Sequence, residues 1–86
     1  MNEMIKLVNM LMDNKVQFQM VLQKEYNSTQ LYIPNIHRPA FDVVCNKYSE
    51  GGKSGLLEIL CYTTNNYKGC LHAEDVYDII SMKGGD

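Results

Sequence analysis

The spacing of apolar residues changes once near the start of the chain, and this change constrains the fold more than any other feature. Over residues 3–13 the apolar side chains recur at helical spacing, whereas from residue 15 they alternate with polar ones. A period near 3.6 indicates an amphipathic helix, and a period of two indicates a half-buried strand. Residues 2–23 therefore predict a helix that is followed directly by a β-strand.

The predicted first helix has a signal at each end. Asn2 can accept hydrogen bonds as the N-cap, and Asp13-Asn14 ends the helical pattern. Two interpretations of the apolar stripe stay open: it packs on the core, or it is a methionine-rich docking face for a partner, because methionine adapts to varied surfaces. The stripe consists of Met4, Leu7, Val8 and Leu11, widened by Ile5 and Met12.

Alternation predicts three strands and favours a fourth. The first covers residues 15–23, the second 29–33, and the third 41–45, with Asp42 on the outer side. Residues 56–62 fit a strand or a short helix, and the alternation around Glu58 favours the strand. Short connections predict an antiparallel meander, with residues 63–68 as a polar loop. The predicted inward positions are Val16, Phe18, Met20, Leu22, Leu31, Ile33, Phe41, Val43, Cys45, Leu57, Ile59 and Cys61.

A second helix closes the chain. Helical spacing begins near Leu71 or His72, and Gly84 ends it. Eighty-six residues are enough for one domain, so residues 1–86 are expected to form a single unit. The predicted fold class is α+β, with two layers: an N-terminal helix, an antiparallel three- to four-stranded β-meander and a C-terminal helix.

Composition excludes several classes of protein. Eight basic residues against ten acidic ones give a net charge of −2, unlike a strongly basic nucleic-acid binder. No apolar run approaches the roughly 20 residues of a membrane span. The N-terminal residues lack a basic secretory leader, and three cysteines are an odd number for a disulfide scaffold. We therefore expect reduced thiols and a cytoplasmic location.

Two candidate chemical sites are incomplete. Gly52-Lys53-Ser54 resembles the end of a phosphate-binding loop, but Lys47 stands where that loop needs its first glycine. A hairpin turn is therefore favoured, with a non-hydrolytic phosphate contact as the alternative. Cys61, Cys70 and His72 lack the paired spacing of zinc sites. We expect no enzyme activity, no cofactor and no metal.

Carboxylates and tyrosines are the stronger candidates for binding. Glu74, Asp75 and Asp78 share roughly one exposed face at the start of the second helix. They either stabilise the helix dipole or attract a basic partner, and Asp42 and Glu58 could extend the patch. Six tyrosines are present, several of them beside turns, and tyrosine suits binding surfaces. The tyrosines considered for the surface are Tyr48, Tyr62 and Tyr67.

Residues 41–59 (FDVVCNKYSEGGKSGLLEI) and 69–80 (GCLHAEDVYDII) form a pattern that spans residues 41–80, about half the chain. It resembles a group of short proteins carried by phages and mobile elements of Gram-positive bacteria. In that group a serine–glycine turn precedes a G-L-L-E-I-like segment, and G-x-L-T-A-E-[DE]-V opens an amphipathic helix. This chain departs from the pattern at His72, which replaces a threonine, and at Ser49-Glu50-Gly51, which replaces a Tyr-Gly pair.

Several small phage proteins of this size and charge class counter bacterial defence, and by that analogy we expect an anti-CRISPR-like inhibitor. Such a protein would bind a host defence protein, for example a CRISPR effector nuclease, in the bacterial cytoplasm. It would block the surface that binds nucleic acid, without binding nucleic acid itself. The predicted partner-binding residues are Glu74, Asp75, Asp78, Asp42, Glu58, Tyr48, Tyr62 and Tyr67.

Two other functions stay open. The first is an oligomeric nucleotide-sequestering protein that uses Lys53, Ser54, Arg38 and a stacking tyrosine. The second is a phage regulator of DNA metabolism that binds nucleic acid weakly. A homodimer is compatible with each of these functions.

Overall fold

A computed structural model describes residues 2–26, 28–46, 49 and 51–84. Five strands form one antiparallel sheet, in which they lie in the same order as in the chain. One helix precedes the strands in the sequence and a second helix follows them. The α+β class, the antiparallel meander and both helices are therefore confirmed. The elements are α1 (Glu3–Asp13), β1 (Gln19–Gln23), β2 (Ser28–Ile33), β3 (Phe41–Val44), β4 (Leu57–Cys61), β5 (Asn66–Leu71) and α2 (Ala73–Gly84), with 3-10 turns at Lys24–Tyr26 and Gly52–Ser54.

The sheet has one strand more than the sequence predicted. Residues 56–62 do contain a strand, β4, but the predicted loop at 63–68 runs into β5. A turn over residues 62–65, with Asn65 at a φ of 56°, joins the two strands. β5 lies at the sheet edge and buries only Leu71. Its sequence therefore has little of the apolar alternation that marks a strand.

Helix α1 follows the predicted boundaries. The Asn2 side chain accepts hydrogen bonds from the N–H groups of Met4 (2.7 Å) and Ile5 (3.4 Å), which confirms the cap. Four predicted stripe residues pack toward the core, but Ile5 and Met12 are 55% and 62% exposed. Ile5 and Met12 therefore lie outside the part of the stripe that packs on the core.

The core lies between the two helices and one face of the sheet. Leu31, Val43 and Ile59 stand opposite one another on three successive strands, and all three are buried. Leu7 of α1 and Val76 of α2 belong to the same buried cluster. None of the described helices is long and apolar enough to cross a membrane.

Strand β1 lies at the other edge of the sheet, and there the helices give little cover. Met20 pairs with the buried Leu31 and shares its face, as the alternation predicted. Even so, Met20 is 54% exposed and Leu22 is 61% exposed. The prediction of their face is right, but neither side chain is buried.

Candidate partner-binding surface

The sheet face opposite the helices carries a row of side chains that crosses all five strands. Gln19, Tyr32, Asp42, Leu60 and Tyr67 are successive partners in the strand register. Because side chains alternate along a strand, this row faces away from the core. We call this surface the open face. Its positions are Gln19, Val21, Gln23, Ser28, Gln30, Tyr32, Asp42, Val44, Glu58, Leu60, Tyr62 and Tyr67.

Asp42 lies at the centre of the open face and is only 9% exposed. The hydroxyl of Tyr62 donates to Asp42 Oδ2 at 2.8 Å. Burial raises the pKa of Asp42, although hydrogen bonds from Tyr62 and Gln30 act in the opposite direction. The prediction that Asp42 lies on the outer side is therefore right about the face, but neighbouring side chains enclose the carboxylate.

A hydrogen-bonded chain extends from Asp42 toward the β1 edge. The Gln30 side chain donates to Asp42, and Gln23 Nε2 donates to Gln30 Oε1. Ser28 Oγ then donates to Gln23 Oε1 at 3.4 Å. Connected polar groups of this kind hold one another in defined rotamers. The middle of the open face is therefore organised before any partner arrives.

Tyr62 remains a hydrogen-bond donor throughout the neutral range. Burial, followed by its hydrogen bond to Asp42, raises the pKa of Tyr62 to about 12. A tyrosine with a raised pKa contributes its stabilisation fully below the unfolded-state pKa and loses it as the pH rises through the folded-state pKa. The contact with Asp42 is therefore intact at neutral pH.

The periphery of the open face offers aromatic area. Tyr67 is 68% exposed, Tyr62 is 42% exposed, and Tyr32 lies between them and β1 with its ring half-buried. Phenol rings combine apolar contact with a polar tip. The strand positions described on this face include Asp42 and Glu58 but no lysine or arginine. The open face therefore suits a partner with basic and apolar groups.

The acidic start of α2 has structural roles that the sequence did not reveal. Asp75 Oδ2 accepts a hydrogen bond from His72 N at 3.0 Å, and Glu3 Oε1 accepts one from Ala73 N at 2.8 Å. Asp75 thus accepts from the residue that precedes the helix, and Glu3 accepts from the first amide of the helix, so both carboxylates cap the helix start. The His72 side chain is exposed, and its Nδ1 lies 3.6 Å from Glu3 Oε1.

Glu74 is engaged with the other helix. It forms an ion pair with Lys6 of α1 at 3.0 Å. A backbone hydrogen bond and the Lys6 ammonium lower the pKa of Glu74, and Glu74 in turn raises the pKa of Lys6. Asp78 is exposed on the same helix. Of the three predicted helix carboxylates, two thus stabilise the helix layer.

The predicted site residues fall into separate groups. Asp42, Glu58, Tyr62 and Tyr67 come together on the open face, whereas the three carboxylates of α2 lie in the helix layer. Tyr48 lies outside the described residues. Sequence reasoning did not select Tyr32, Gln30 and Leu60, which complete the surface. The inward assignment of Leu31 and Ile33 already implied that Gln30 and Tyr32 point outward.

The residues proposed for nucleotide binding are not brought together. Lys53 and Ser54 lie in the turn after β3, and Arg38 lies in the loop before β3, at the other end of the sheet. A phosphate would need backbone N–H groups of this turn, but they already donate hydrogen bonds within the turn. Ser54 N donates to Gly51 O, and Gly55 N donates to Gly52 O, both at 3.0 Å. This arrangement agrees with the hairpin-turn interpretation.

Cys45, Cys61 and Cys70 form no disulfide with one another. Within the described part of the chain, no group of three or more histidine, cysteine or acidic side chains could hold a metal ion. Compared with known proteins, the chain matches no family model, no curated protein and no solved structure.

Proposed function

We propose that this protein is a non-enzymatic inhibitor that binds a larger protein through the open face. The partner we propose is a bacterial host defence protein. The contact covers the basic surface through which that partner binds nucleic acid. This is the anti-CRISPR-like role expected by analogy with small phage proteins, carried out in the host cytoplasm.

One observation carries the proposal: the row from Gln19 to Tyr67 spans the whole sheet on the face that the helices leave open. A protein surface that holds phosphates is rich in lysine and arginine. Glu58 and the enclosed Asp42 make the electrostatic potential of this face negative, and exposed tyrosine supplies apolar contact area. The lack of lysine and arginine at the described strand positions of the open face disfavours direct binding of nucleic acid.

Preorganisation supports binding at this face over binding at the acidic start of α2. The Asp42 network is already formed, so few side chains lose freedom on association. By contrast, Glu74 and Asp75 would have to leave Lys6 and the helix amides to meet a partner. The open face is therefore the primary contact in this proposal, and Asp78 contributes at most long-range attraction.

Two charge-matched variants test the proposal. Tyr67→Lys adds a positive charge on the open face, and Met82→Lys adds one on α2, at side chains that are 68% and 73% exposed. The wild-type chain and both variants are used to capture proteins from host lysate. Each captured protein is then purified and titrated with a fluorescein-labelled oligonucleotide, with and without the wild-type chain.

The expected result is a captured protein that loses its oligonucleotide when one equivalent of the wild-type chain is added. Met82→Lys should act like wild type, whereas Tyr67→Lys should weaken displacement at least about tenfold, equivalent to about 1.4 kcal/mol. Full oligonucleotide binding in the presence of excess wild-type chain would overturn the proposal. So would equal displacement by the two variants.

A further inference from the structure

The β1 edge of the sheet has unpaired backbone groups. Successive residues of a strand direct their N–H and C=O groups to opposite sides. Ala40 N donates to Ile33 O at 2.7 Å, so the odd-numbered residues of β2 face β3 and the even-numbered ones face β1. The even-numbered residues of β2 pair with odd-numbered residues of β1, so the backbone groups of those β1 residues face β2. The backbone groups of Met20 and Leu22 therefore point outward, away from the sheet.

This edge lacks the features that usually prevent strand pairing. Natural edge strands are protected by lysine, proline or a bulge. The sequence of β1, QMVLQ, contains no charge and no proline. At the opposite edge, β5 carries Lys68, a register shift and a positive φ at Cys70. Of the two edges, only β1 is open to another strand.

Exposed apolar side chains lie beside the open edge. Ile5, Met12, Met20 and Leu22 are each more than half exposed, and they are four of the eight large exposed hydrophobic side chains among the described residues. Ile5, Val8 and Met20 line one groove between α1 and β1. Ile5, Val8 and Met12 share one side of the helix, because they are three and four residues apart. The apolar surface is thus continuous with the unpaired strand.

We propose that β1 pairs antiparallel with β1 of a second copy, about a two-fold axis through Val21. The strand reads almost the same in both directions, so Gln19 lies opposite Gln23 of the second copy and Met20 opposite Leu22. Val21 lies opposite its own counterpart. Every pair is apolar with apolar or amide with amide, and no like charges meet within the strand. A two-fold interface requires this self-complementarity.

The dimer joins two five-stranded sheets into one continuous sheet of ten strands. The helices of both copies lie on the same side of this sheet, and the two α1 helices flank the axis. Their Ile5 and Met12 side chains then cover the groove between α1 and β1. Both open faces then share the other side of the sheet. The dimer is inferred from β1 and α1 alone and does not depend on the proposed function.

Sedimentation equilibrium or light scattering of the full chain tests the pairing. The wild-type protein is expected at twice the chain mass of 9.9 kDa. Met20→Lys combined with Leu22→Lys places ammonium groups opposite one another and should give monomers. Met20→Lys combined with Leu22→Glu places each ammonium opposite a carboxylate and should restore the dimer. Met82→Lys is the control and should stay dimeric.

Disulfide trapping tests the register. Opposite residues of a non-hydrogen-bonded antiparallel pair have Cα atoms about 4.5 Å apart, within reach of a disulfide. In a Cys70→Ser background, Val21→Cys should therefore form a covalent dimer on mild oxidation, whereas Gln23→Cys should not. A wild-type monomer at submillimolar concentration would overturn the inference. So would a dimer that survives the paired lysines, or equal trapping by both cysteine variants.

Discussion

Replacement of Tyr62 by phenylalanine tests how the open face is held together. The substitution keeps the ring and removes the hydroxyl that donates to Asp42 Oδ2 at 2.8 Å. A hydrogen bond to a charged group contributes about 1.5–3 kcal/mol to stability. Asp42 is 9% exposed, but Tyr62 is 42% exposed, so water can replace part of the lost contact. We therefore expect the free energy of unfolding to fall by about 1–2 kcal/mol.

This loss is measurable by urea and thermal unfolding followed by circular dichroism. For a domain of this size, 1.5 kcal/mol corresponds to a fall in Tm of about 6–12 °C. Tyr67→Phe is the matched control, since Tyr67 is 68% exposed on the same face. It should change the Tm little.

The stability lost in Tyr62→Phe should depend on pH in one direction. Burial raises the folded-state pKa of Asp42, so its ionisation costs stability as the pH rises through that pKa. The Tyr62 hydroxyl reduces this cost because it stabilises the carboxylate. The deficit of Tyr62→Phe should therefore be largest at neutral pH and shrink as the pH falls through the folded-state pKa of Asp42. A deficit that equals that of Tyr67→Phe, or one that is independent of pH, would refute this reasoning.

The other predictions concern the helix start and the turn. Glu3→Ala removes the carboxylate that accepts a hydrogen bond from the first amide of α2, and it should lower the free energy of unfolding, measured in urea, by about 1–2 kcal/mol. A loss below about 0.5 kcal/mol would contradict this role. Gly52→Ala should lower the free energy of unfolding by about 3 kcal/mol or more, because the added Cβ would clash with backbone atoms. Gly55→Ala should lower it by only about 1 kcal/mol, because the added Cβ meets no atom and the cost comes from the positive φ alone. A larger loss for Gly55→Ala than for Gly52→Ala would contradict the turn geometry. Nucleotides should not raise the Tm, because Arg38 and Lys53 lie at opposite ends of the sheet; a clear rise in thermal-shift assays would restore the nucleotide hypothesis.

The elements that bury a periodic apolar face could be predicted from the sequence. The Asn2 cap and the pattern over residues 3–13 defined α1, and alternation at Leu31 and Val43 placed β2 and β3. β5 was missed because a strand at the edge of the sheet has little to bury. The exposure of Met20 was missed because it depends on how far the helices extend across the sheet.

The candidate surface could be predicted only in part. Alternation within a strand shows which residues point outward, but not which outward residues become neighbours. Asp42 meets Tyr62, twenty positions away, because β3 and β4 pair Asp42 with Leu60. That register is a tertiary property, and the sequence of the connection between β3 and β4 does not predict it. The capping role of Asp75 likewise emerges from the backbone of the helix start.

The most direct test of the open face as the binding surface is an isothermal titration of the captured partner with two charge-changing variants. Tyr67→Lys alters the open face, and Asp78→Lys alters the exposed acidic side of α2. The open-face proposal predicts that Tyr67→Lys weakens the Kd at least about tenfold and that Asp78→Lys changes it less than about threefold. Full affinity of Tyr67→Lys together with loss of binding by Asp78→Lys would place the contact on the helices and contradict the proposal.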